Sequence, residues 1–575
     1  MRIKHFFGLA VLAAMTASCS SNNDLVVGGG NGSGENESGA SYASFSINLP
    51  TTRGTRADNP EFKPGETNEY DVYNATLLVF KKGTTAGEGN YTLAEKVDLG
   101  SMEPWKKDPS ETGVTTQAKI TAKLSEVDKS GDYFALVLLN NGSGADAKVT
   151  LPSEGDKFSD WNVAAKANPD KFTDTKKGFY MANAPLYNST DKSVTTLVPI
   201  KKENIFSTEA QASSGEAAAD IYVERGLAKV TLTAATKDKK PVAASSSYAG
   251  DNVQISNWAL DVTNLKTFPI HNVDELDYED IWKNEAAASG PSTQRFVDNN
   301  SGTLAKRVYW GKDPNYDKDD LRKTDEAGKT ARAAEFKYVT ANTEVTADPT
   351  KPLYCLENTF NLANMMQGQT TRVIFKASYT PNGFTAEDGK TFYKVGTSVA
   401  LWKEKDLKDH IKAAVTKVIS DATTANTTID LAAKGNDITA AGNHEIKAVN
   451  ITVTGHEVTA AEEKAVNAKV GLTEKAGIST YANGESYYIA RIKHFGDDLT
   501  PWNSDETYND NLKYLGRYGM LRNNWYELDV QNVSGPGYPD VPEVKPNTPD
   551  DEDDKYIKVS VKIFDWAKRS QSVDL

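Results

Sequence analysis

Residues 42–49 read Y-A-S-F-S-I-N-L, with an apolar side chain at every second position. Phe45, Ile47 and Leu49 fall on one face of an extended chain, while the other face carries small polar side chains, namely Ser44, Ser46 and Asn48. An alternation with a period of two predicts a half-buried β-strand. The sequence therefore predicts a sheet that begins close to the start of the chain.

A polar loop follows this strand. Residues 50–57, P-T-T-R-G-T-R-A, contain no large apolar side chain, which predicts an exposed loop. A trypsin-like protease would find the bonds after Arg53 and Arg56 accessible there. The alternative is that both arginines are ordinary solvated loop residues, and the loop by itself does not decide between these interpretations.

A second alternating stretch lies near the end of the chain, where residues 556–566 read Y-I-K-V-S-V-K-I-F-D-W. Its apolar face carries β-branched side chains and its other face is polar, which predicts a strand. The strand follows a segment with five prolines and an acidic cluster at 550–554, which predicts an extended linker that reaches about 60 Å. The strand can therefore pair with a sheet of another molecule or fold back as an edge strand of its own domain.

Composition excludes several protein classes. The chain has 575 residues, 25% of them charged, with a formal net charge of −14 and no dense basic block. Nucleic acid is therefore not an expected partner. Length and composition fit a soluble exported chain of two or three domains, and they exclude a collagen, a coiled coil and a polytopic membrane protein.

The first residues form an export signal. Arg2 and Lys4 precede an apolar run at 6–15, which is too short to span a bilayer. Small residues then lead to Cys19, where a lipoprotein peptidase would cut and the thiol would carry the lipid. The alternative is an ordinary signal peptide with an incidental cysteine. Residues 20–41 are rich in Gly, Ser and Asn and predict a flexible tether.

The body of the chain is predicted to be mostly β, as two tandem antiparallel β-sandwich domains of transthyretin-like, Greek-key type with a few helices and an extended C-terminal donor strand. Two series of short strand-like segments, at 72–139 and 223–379, support this prediction. Amphipathic spacing at 401–424 predicts one helix, and a second is expected at 460–468. The predicted segments are 1–19 (signal peptide), 20–56 (propeptide), 57–222 (first domain), 223–533 (second domain, with a helical insertion around 401–470) and 534–575 (linker and terminal strand).

The sequence offers no catalytic or metal-binding motif. The six histidines have no metal-ligand spacing, and a buried Cys355 is expected to be a small core residue. Asp313, Asn315, Asp317 and Asp319 alternate like the start of a calcium loop, but Lys318 stands where that loop needs glycine and Thr324 where it needs a bidentate glutamate. No enzyme activity, cofactor or metal is expected, although structural calcium stays open.

The order of several motifs along the chain resembles the FimA-type major fimbrillins, the short-fimbria major subunit family of Bacteroidales type V pili. The motifs are the cysteine-containing leader, the strand before Arg56-Ala57, and residues 133–140, 223–230, 354–359, 522–526 and 556–566. The resemblance implies a lipoprotein precursor with acyl chains such as palmitate on Cys19, and cleavage by an arginine-specific protease between Arg56 and Ala57, with Arg53 as the alternative. It further implies that the strand with Phe45, Ile47 and Leu49 is lost. A neighbouring subunit would then fill the groove with its donor strand, through Ile557, Val559, Val561, Ile563 and Trp566.

The resemblance and the residues together predict the major stalk subunit of an adhesive surface fimbria. Its precursor would be anchored transiently to the outer membrane, and its partners would be copies of itself, other fimbrial subunits, and host or bacterial surface receptors. One alternative is an outer-membrane lipoprotein that stays anchored and binds glycans through some of its nine Trp and 25 Tyr. The other is a tip or accessory fimbrillin.

Overall fold

The computed structural model describes the chain in blocks. These are residues 25–26, 40–49, 62–63, 69, 71–100, 117–174, 177–188, 193–273, 306–316, 319–359, 364–495, 500, 514–551 and 557–566. The described part is mostly β and includes six α-helices, Phe158–Trp161, Pro169–Phe172, Glu209–Ser214, Glu326–Glu335, Glu404–Val418 and Ala460–Val470. None of the helices in these blocks has the length and apolar character needed to cross a membrane.

The first sheet has ten strands and is strongly curled around one apolar core. Eight strands follow one another across it in the order Leu25–Val26, Gln117–Leu124, Ser41–Asn48, Ala219–Arg225, Met181–Asn183, Tyr133–Leu139, Ala75–Lys81 and Thr92–Gly100. Val198–Pro199 pairs with Tyr133–Leu139, and Ile205–Phe206 pairs with Ser41–Asn48. The sequence prediction of strands at 42–49, 72–80, 118–124 and 133–139 is confirmed.

Two further sheets enclose the second core, which contains Val230, Phe375 and Leu528. The strands of one sheet are Leu353–Cys355, Ala228–Leu232, Asn524–Val533, Ile557–Trp566 and Phe62–Lys63, in that order. The other sheet is formed by Lys240–Pro241, Asn252–Asp261, Arg372–Thr380 and Glu485–Arg491. Cys355 is fully buried here, and its burial raises the pKa of the thiol to about 12, so it is a small core residue as expected.

A helical insertion builds a separate small core within residues 393–478. Its two helices, Glu404–Val418 and Ala460–Val470, pack on each other and bury Leu407, Ile411 and Val415. Its strands are Phe392–Val395, Leu401–Trp402, Gly442–His444 and Ile478–Tyr481, and a separate antiparallel pair is formed by Thr427–Ile429 and Ile451–Val453. The helix predicted from amphipathic spacing at 401–424 and the second helix expected at 460–468 are both confirmed.

Short strand pairs join the parts of the chain. They are Leu186–Asn188 with Ser193–Thr195 and Lys306–Arg307, Ala165–Lys166 with Lys266–Thr267, and Thr263–Asn264 with Phe336–Lys337. The chain passes from the first sheet to the second between Arg225 and Ala228, and the predicted domain boundaries stay predictions. The tandem transthyretin-like arrangement stays a prediction.

The expectation of purely antiparallel sheets is wrong. Ala219–Tyr222 runs parallel to Phe45–Asn48, and Lys229–Leu232 runs parallel to Trp525–Leu528. Parallel neighbours need a long connection, whereas an antiparallel pair can close through a tight turn. The alternation of side chains within one strand shows which face of that strand is apolar. It does not show whether a neighbouring strand, which here lies more than 150 residues away in the sequence, runs parallel or antiparallel to it.

Candidate functional site

The strand predicted at the start of the chain lies inside the first sheet. This N-terminal strand, Ser41–Asn48, pairs antiparallel with Gln117–Leu124 along all eight residues and parallel with Ala219–Tyr222 on its other side. Phe45 and Ile47 are 0% exposed and Leu49 is 2% exposed. We call the space that it fills, between Gln117–Leu124 and Ala219–Arg225, the slot.

The outer face of the N-terminal strand is also buried, so the prediction of a half-buried strand is wrong for this face. Ser44 is 0% exposed and Ser46 is 5% exposed, because the helix Glu209–Ser214 lies over them. The Oγ of Ser44 donates a hydrogen bond to the carbonyl of Ala212 in this roof helix. The slot therefore accepts large apolar side chains on its inner face and, at the position of Ser44, a small side chain beneath the roof helix.

The roof helix is also attached to the strand Gln117–Leu124, through side-chain hydrogen bonds. The Nζ of Lys119 donates to the carbonyl of Ser213 and, at 2.7 Å, to that of Gly215. The hydroxyls of Thr121 and Ser213 lie 3.0 Å apart. These contacts do not involve residues 41–48, whereas the segments that flank the helix do: Ile205–Phe206 pairs with Tyr42 and Ala43, and the N–H of Ala218 donates to the carbonyl of Ser44.

The strand near the end of the chain, Ile557–Trp566, lies at the edge of the second domain's first sheet. This tail strand pairs antiparallel with Asn524–Val533 of its own chain, and on its other side, within the described residues, only Phe62–Lys63 pairs with it, at its last two residues. Ile557, Val559 and Val561 are partly buried against the second core, whereas Lys558 and Lys562 are exposed. The predicted alternation is confirmed for these residues, while the side chains of Ile563 and Trp566 lie outside the described part.

The segment before the tail strand is anchored, which corrects the expectation of a free linker over all of residues 534–555. Tyr538 pairs with Tyr487 through two backbone hydrogen bonds of 2.8 and 2.9 Å. The carbonyls of Gly535, Gly537 and Pro546 accept bonds from buried side chains. A proline-rich composition predicts an extended chain, but the sequence pattern does not reveal the grooves on the domain into which this chain fits.

An acidic pair ends the anchored segment. Arg517 and Asp551 form a salt bridge, with 2.6 Å between Nη2 and Oδ1, and both side chains are at most 5% exposed. Beside it, the Oγ1 of Thr370 donates to Asp550 at 2.6 Å. We call Thr370, Arg517, Asp550 and Asp551 the clamp. The sequence showed the acidic cluster, but the partners of Asp550 and Asp551 became evident only in the folded chain.

Buried charges tie the two sheets together. The Nζ of Lys229 lies 2.6 Å from a carboxylate oxygen of Glu69, which also accepts a bond of 2.6 Å from the Tyr354 hydroxyl. His271 lies between Glu224 of the first sheet, at 2.8 Å, and Glu357, at 3.3 Å. Burial lowers the pKa of His271, but the carboxylates of Glu357 and Glu224 outweigh it and raise the pKa to about 9.

Two residues of the calcium-like alternation, Asp313 and Asn315, are buried and hydrogen-bonded to each other in the interior. Asp313 is buried and accepts hydrogen bonds from Asn264, from the backbone N–H of Thr359 and from both the backbone and side chain of Asn315. Burial raises its pKa to about 8 despite these bonds. Asp317 and the side chain of Asp319 lie outside the described part, within which no cluster of three or more His, Cys, Asp or Glu side chains is suited to a metal ion.

The processing residues predicted from the sequence, Cys19, Arg53, Arg56 and Ala57, lie outside the described residues. The nearest described residue to Cys19 is Leu25, and those on either side of Arg53, Arg56 and Ala57 are Leu49 and Phe62. Lipidation at Cys19 and cleavage at Arg56 therefore stay predictions.

The last part of the chain matches a known family. Residues 479–572 match the family described as major fimbrial subunit protein type IV, fimbrillin, C-terminal, and this stretch includes both Asn524–Val533 and the tail strand. No curated protein matches the chain.

Solved structures from Parabacteroides distasonis ATCC 8503 are similar to the chain at low identity. Two are of proposed cell adhesion proteins, at 11% and 13% identity, and each comparison covers 92% of this chain and 99% of that one, with TM-scores of 0.37 and 0.35. A fimbrial assembly protein is 11% identical over 63% of this chain and 93% of its own, with a TM-score of 0.25.

Proposed function

We propose that the chain is the major structural subunit of a surface fimbria, whose copies join by exchange of a β-strand, and that its role is not catalytic. In this proposal the precursor is lipidated at Cys19, held at the outer membrane and cleaved between Arg56 and Ala57. The N-terminal strand is then lost, and the tail strand of a neighbouring copy enters the slot. The completed fibre lies on the cell surface and supports adhesion.

The observation that carries this proposal is the central position of the N-terminal strand. It pairs with Gln117–Leu124 over its full length and with Ala219–Tyr222 on its other side. A strand lost from the middle of a sheet leaves unpaired N–H and C=O groups on both sides of the gap, which an incoming strand can satisfy. The strand ends five residues before Arg53 in the sequence, so one cleavage after Arg53 or Arg56 would separate it from the mature chain.

Apolar burial also favours exchange. Phe45, Ile47 and Leu49 are at most 2% exposed, and full burial of a large side chain contributes about 1.5–3 kcal/mol. The tail strand's Val559 and Val561 are only partly buried on their own domain. Transfer from an edge to the enclosed slot would therefore bury more apolar surface and add a second hydrogen-bonded neighbour, at about 0.5–1.5 kcal/mol net per bond.

The match of residues 479–572 to fimbrillins supports a fimbrial subunit that associates with other fimbrial subunits at the cell surface. It includes the tail strand, which is the segment that the proposal assigns to assembly. The presence of this strand favours a stalk position over a tip position.

The test combines processing with assembly. N-terminal sequencing of surface material is expected to begin at Ala57, whereas a blocked Cys19 would indicate a lipoprotein that stays anchored. Val561→Asp and truncation after Asp554 are each expected to give a processed, folded monomer that forms no fibres by negative-stain microscopy. Val449→Asp, at a valine that is 54% exposed in the helical insertion, is the matched control and is expected to assemble normally. Normal fibres from the truncated protein would refute the role of the tail.

A further inference from the structure

The slot restricts which side chain of an incoming strand can face the roof helix. Two adjacent outer positions, those of Ser44 and Ser46, are buried beneath Glu209–Ser214, and that of Ser44 is the more tightly enclosed. The Ser44 hydroxyl reaches the carbonyl of Ala212, so a long side chain at this position would collide with the roof helix. Lys119 and Thr121 hold the roof helix to the neighbouring strand through contacts that include no residue of the N-terminal strand, so an incoming strand would meet the same helix.

The tail strand carries one small side chain on its polar face. In residues 557–562 the apolar face consists of Ile557, Val559 and Val561, and the polar face consists of Lys558, Ser560 and Lys562. A strand that directs its apolar face into the first core must direct the polar face towards the roof helix, because successive side chains alternate. Of the three polar side chains, only Ser560 matches serine in size.

We propose that Ser560 of a second copy takes the place of Ser44, opposite Thr121, and so sets the register of strand exchange. This inference rests on the proposed function, which supplies the tail strand of another copy as the occupant of the slot. Ser560 then donates to the Ala212 carbonyl as Ser44 does. Val559 and Val561 take the places of Ala43 and Phe45, and this holds for either direction of the incoming strand because both flank Ser560.

The flanking lysines fit this register better than one shifted by two residues. With Ser560 at the place of Ser44, one lysine lies at the half-exposed position of Tyr42 and the other at that of Ser46. The position of Ser46 is opposite Lys119, whose ammonium already donates to carbonyls at the C-terminal end of the roof helix. Cations are favoured at helix C-termini, which would offset part of the repulsion between a lysine at this position and Lys119. The shifted register would place a lysine beneath Ala212 instead.

Disulfide cross-linking between two variants tests the register. In the precursor Ser44 and Thr121 are directly opposite, and opposite residues in antiparallel strands have Cα atoms about 4.5–5.5 Å apart, within disulfide range. Thr121→Cys is made as the acceptor, and Lys558→Cys, Ser560→Cys and Lys562→Cys as three alternative donors, all in a Cys355→Ala background. The Ser44→Cys, Thr121→Cys precursor serves as the positive control within one chain.

Cleaved acceptor and donor proteins are mixed, allowed to assemble, oxidised and separated without reductant. The expected result is that Ser560→Cys gives at least fivefold more cross-linked dimer than either lysine position. Fibres whose main cross-link comes from position 558 or 562 would overturn the register while leaving the proposed function intact. Fibres with no cross-link from any of the three donors would place the tail outside the slot and overturn both proposals.

A size series at position 560 gives an independent readout. Ser560 lies on the polar face of its own edge strand, so Ser560→Leu and Ser560→Ala are both expected to leave a folded monomer, as checked by circular dichroism. Ser560→Ala is expected to assemble at a rate within twofold of the wild type, and Ser560→Leu at least tenfold more slowly. Equal assembly rates for the alanine and leucine variants would overturn the proposed position beneath the roof helix.

Discussion

Shortening Phe45 in the uncleaved precursor tests whether the N-terminal strand prevents assembly. Phe45 is 0% exposed and belongs to the first core, and truncation of a buried phenylalanine to alanine costs about 3–5 kcal/mol. If the whole loss weakens the binding of the N-terminal strand in the slot, the fraction of molecules with an open slot rises by about two to three and a half orders of magnitude. Each loss of about 1.4 kcal/mol changes the equilibrium constant for detachment of the strand tenfold. We therefore expect Phe45→Ala to permit strand exchange without proteolysis.

The assay is size-exclusion chromatography of protease-free precursor over time, with negative-stain microscopy of the late fractions. Wild-type precursor is expected to stay monomeric, and Phe45→Ala to form oligomers that still carry the residues before Arg56. The matched control is Phe80→Ala. Phe80 is also 0% exposed and in the same sheet, but its side chain packs in a different apolar cluster, on the opposite face. It should lower the free energy of unfolding by a similar amount without loosening the strand.

Two results would contradict this reasoning. If Phe45→Ala loses stability in urea unfolding but remains monomeric, opening of the slot does not limit assembly of the precursor. If Phe80→Ala oligomerises as fast as Phe45→Ala, the oligomers arise from general destabilisation and not from strand exchange.

Three further predictions concern the buried charges. Two neighbouring carboxylates outweigh the effect of burial and raise the pKa of His271 to about 9, so it is protonated in the folded protein at neutral pH. Its contribution to the free energy of unfolding is therefore complete below about pH 6.5 and declines by about 3 kcal/mol as the pH rises to 9. His271→Gln should flatten this decline, as measured from urea unfolding curves at each pH. Lys229→Met removes the ammonium that faces Glu69, and we expect a loss of about 3–5 kcal/mol in precursor and mature protein alike, since Glu69 follows Arg56; unchanged urea midpoints would argue against it. Arg517→Met should release Asp551 and speed amide hydrogen exchange of residues 557–562, while fibres still form. Unchanged exchange rates would show that the clamp does not restrain the tail strand.

The periodicity of apolar residues and the composition were sufficient to predict where strands and helices form, but not which segments pack against each of them. The alternation at 42–49 predicted the N-terminal strand, and the spacing of Leu407, Ile411 and Val415 predicted a helix, because each pattern reflects local backbone geometry. Burial of Ser44 depends on the roof helix, which begins more than 160 residues later. No local pattern contains that information, so the outer face was predicted to be exposed.

Polar residues proved hardest to predict, because their roles depend on partners that are distant in sequence. Asp313 belongs to an alternating acidic stretch that suggested calcium, yet it accepts hydrogen bonds from Asn264 and Thr359 inside the fold. Asp551 belongs to a cluster that composition alone predicts to be solvated, yet it forms a buried salt bridge with Arg517. In both cases the folded chain supplies donors that compensate for the loss of water.

The clamp limits where a neighbouring subunit can lie. Asp551 is held by Arg517, and the tail strand begins at Ile557, six residues later. An extended chain spans at most about 3.6 Å per residue, so the strand starts within about 22 Å of the clamp wherever it pairs. A slot that receives it must therefore be close to the second domain of the donor. Slot and tail strand belong to different sheets of each copy, so the proposed contact would be head-to-tail, and such a contact generates an open filament unless the rotation closes a ring.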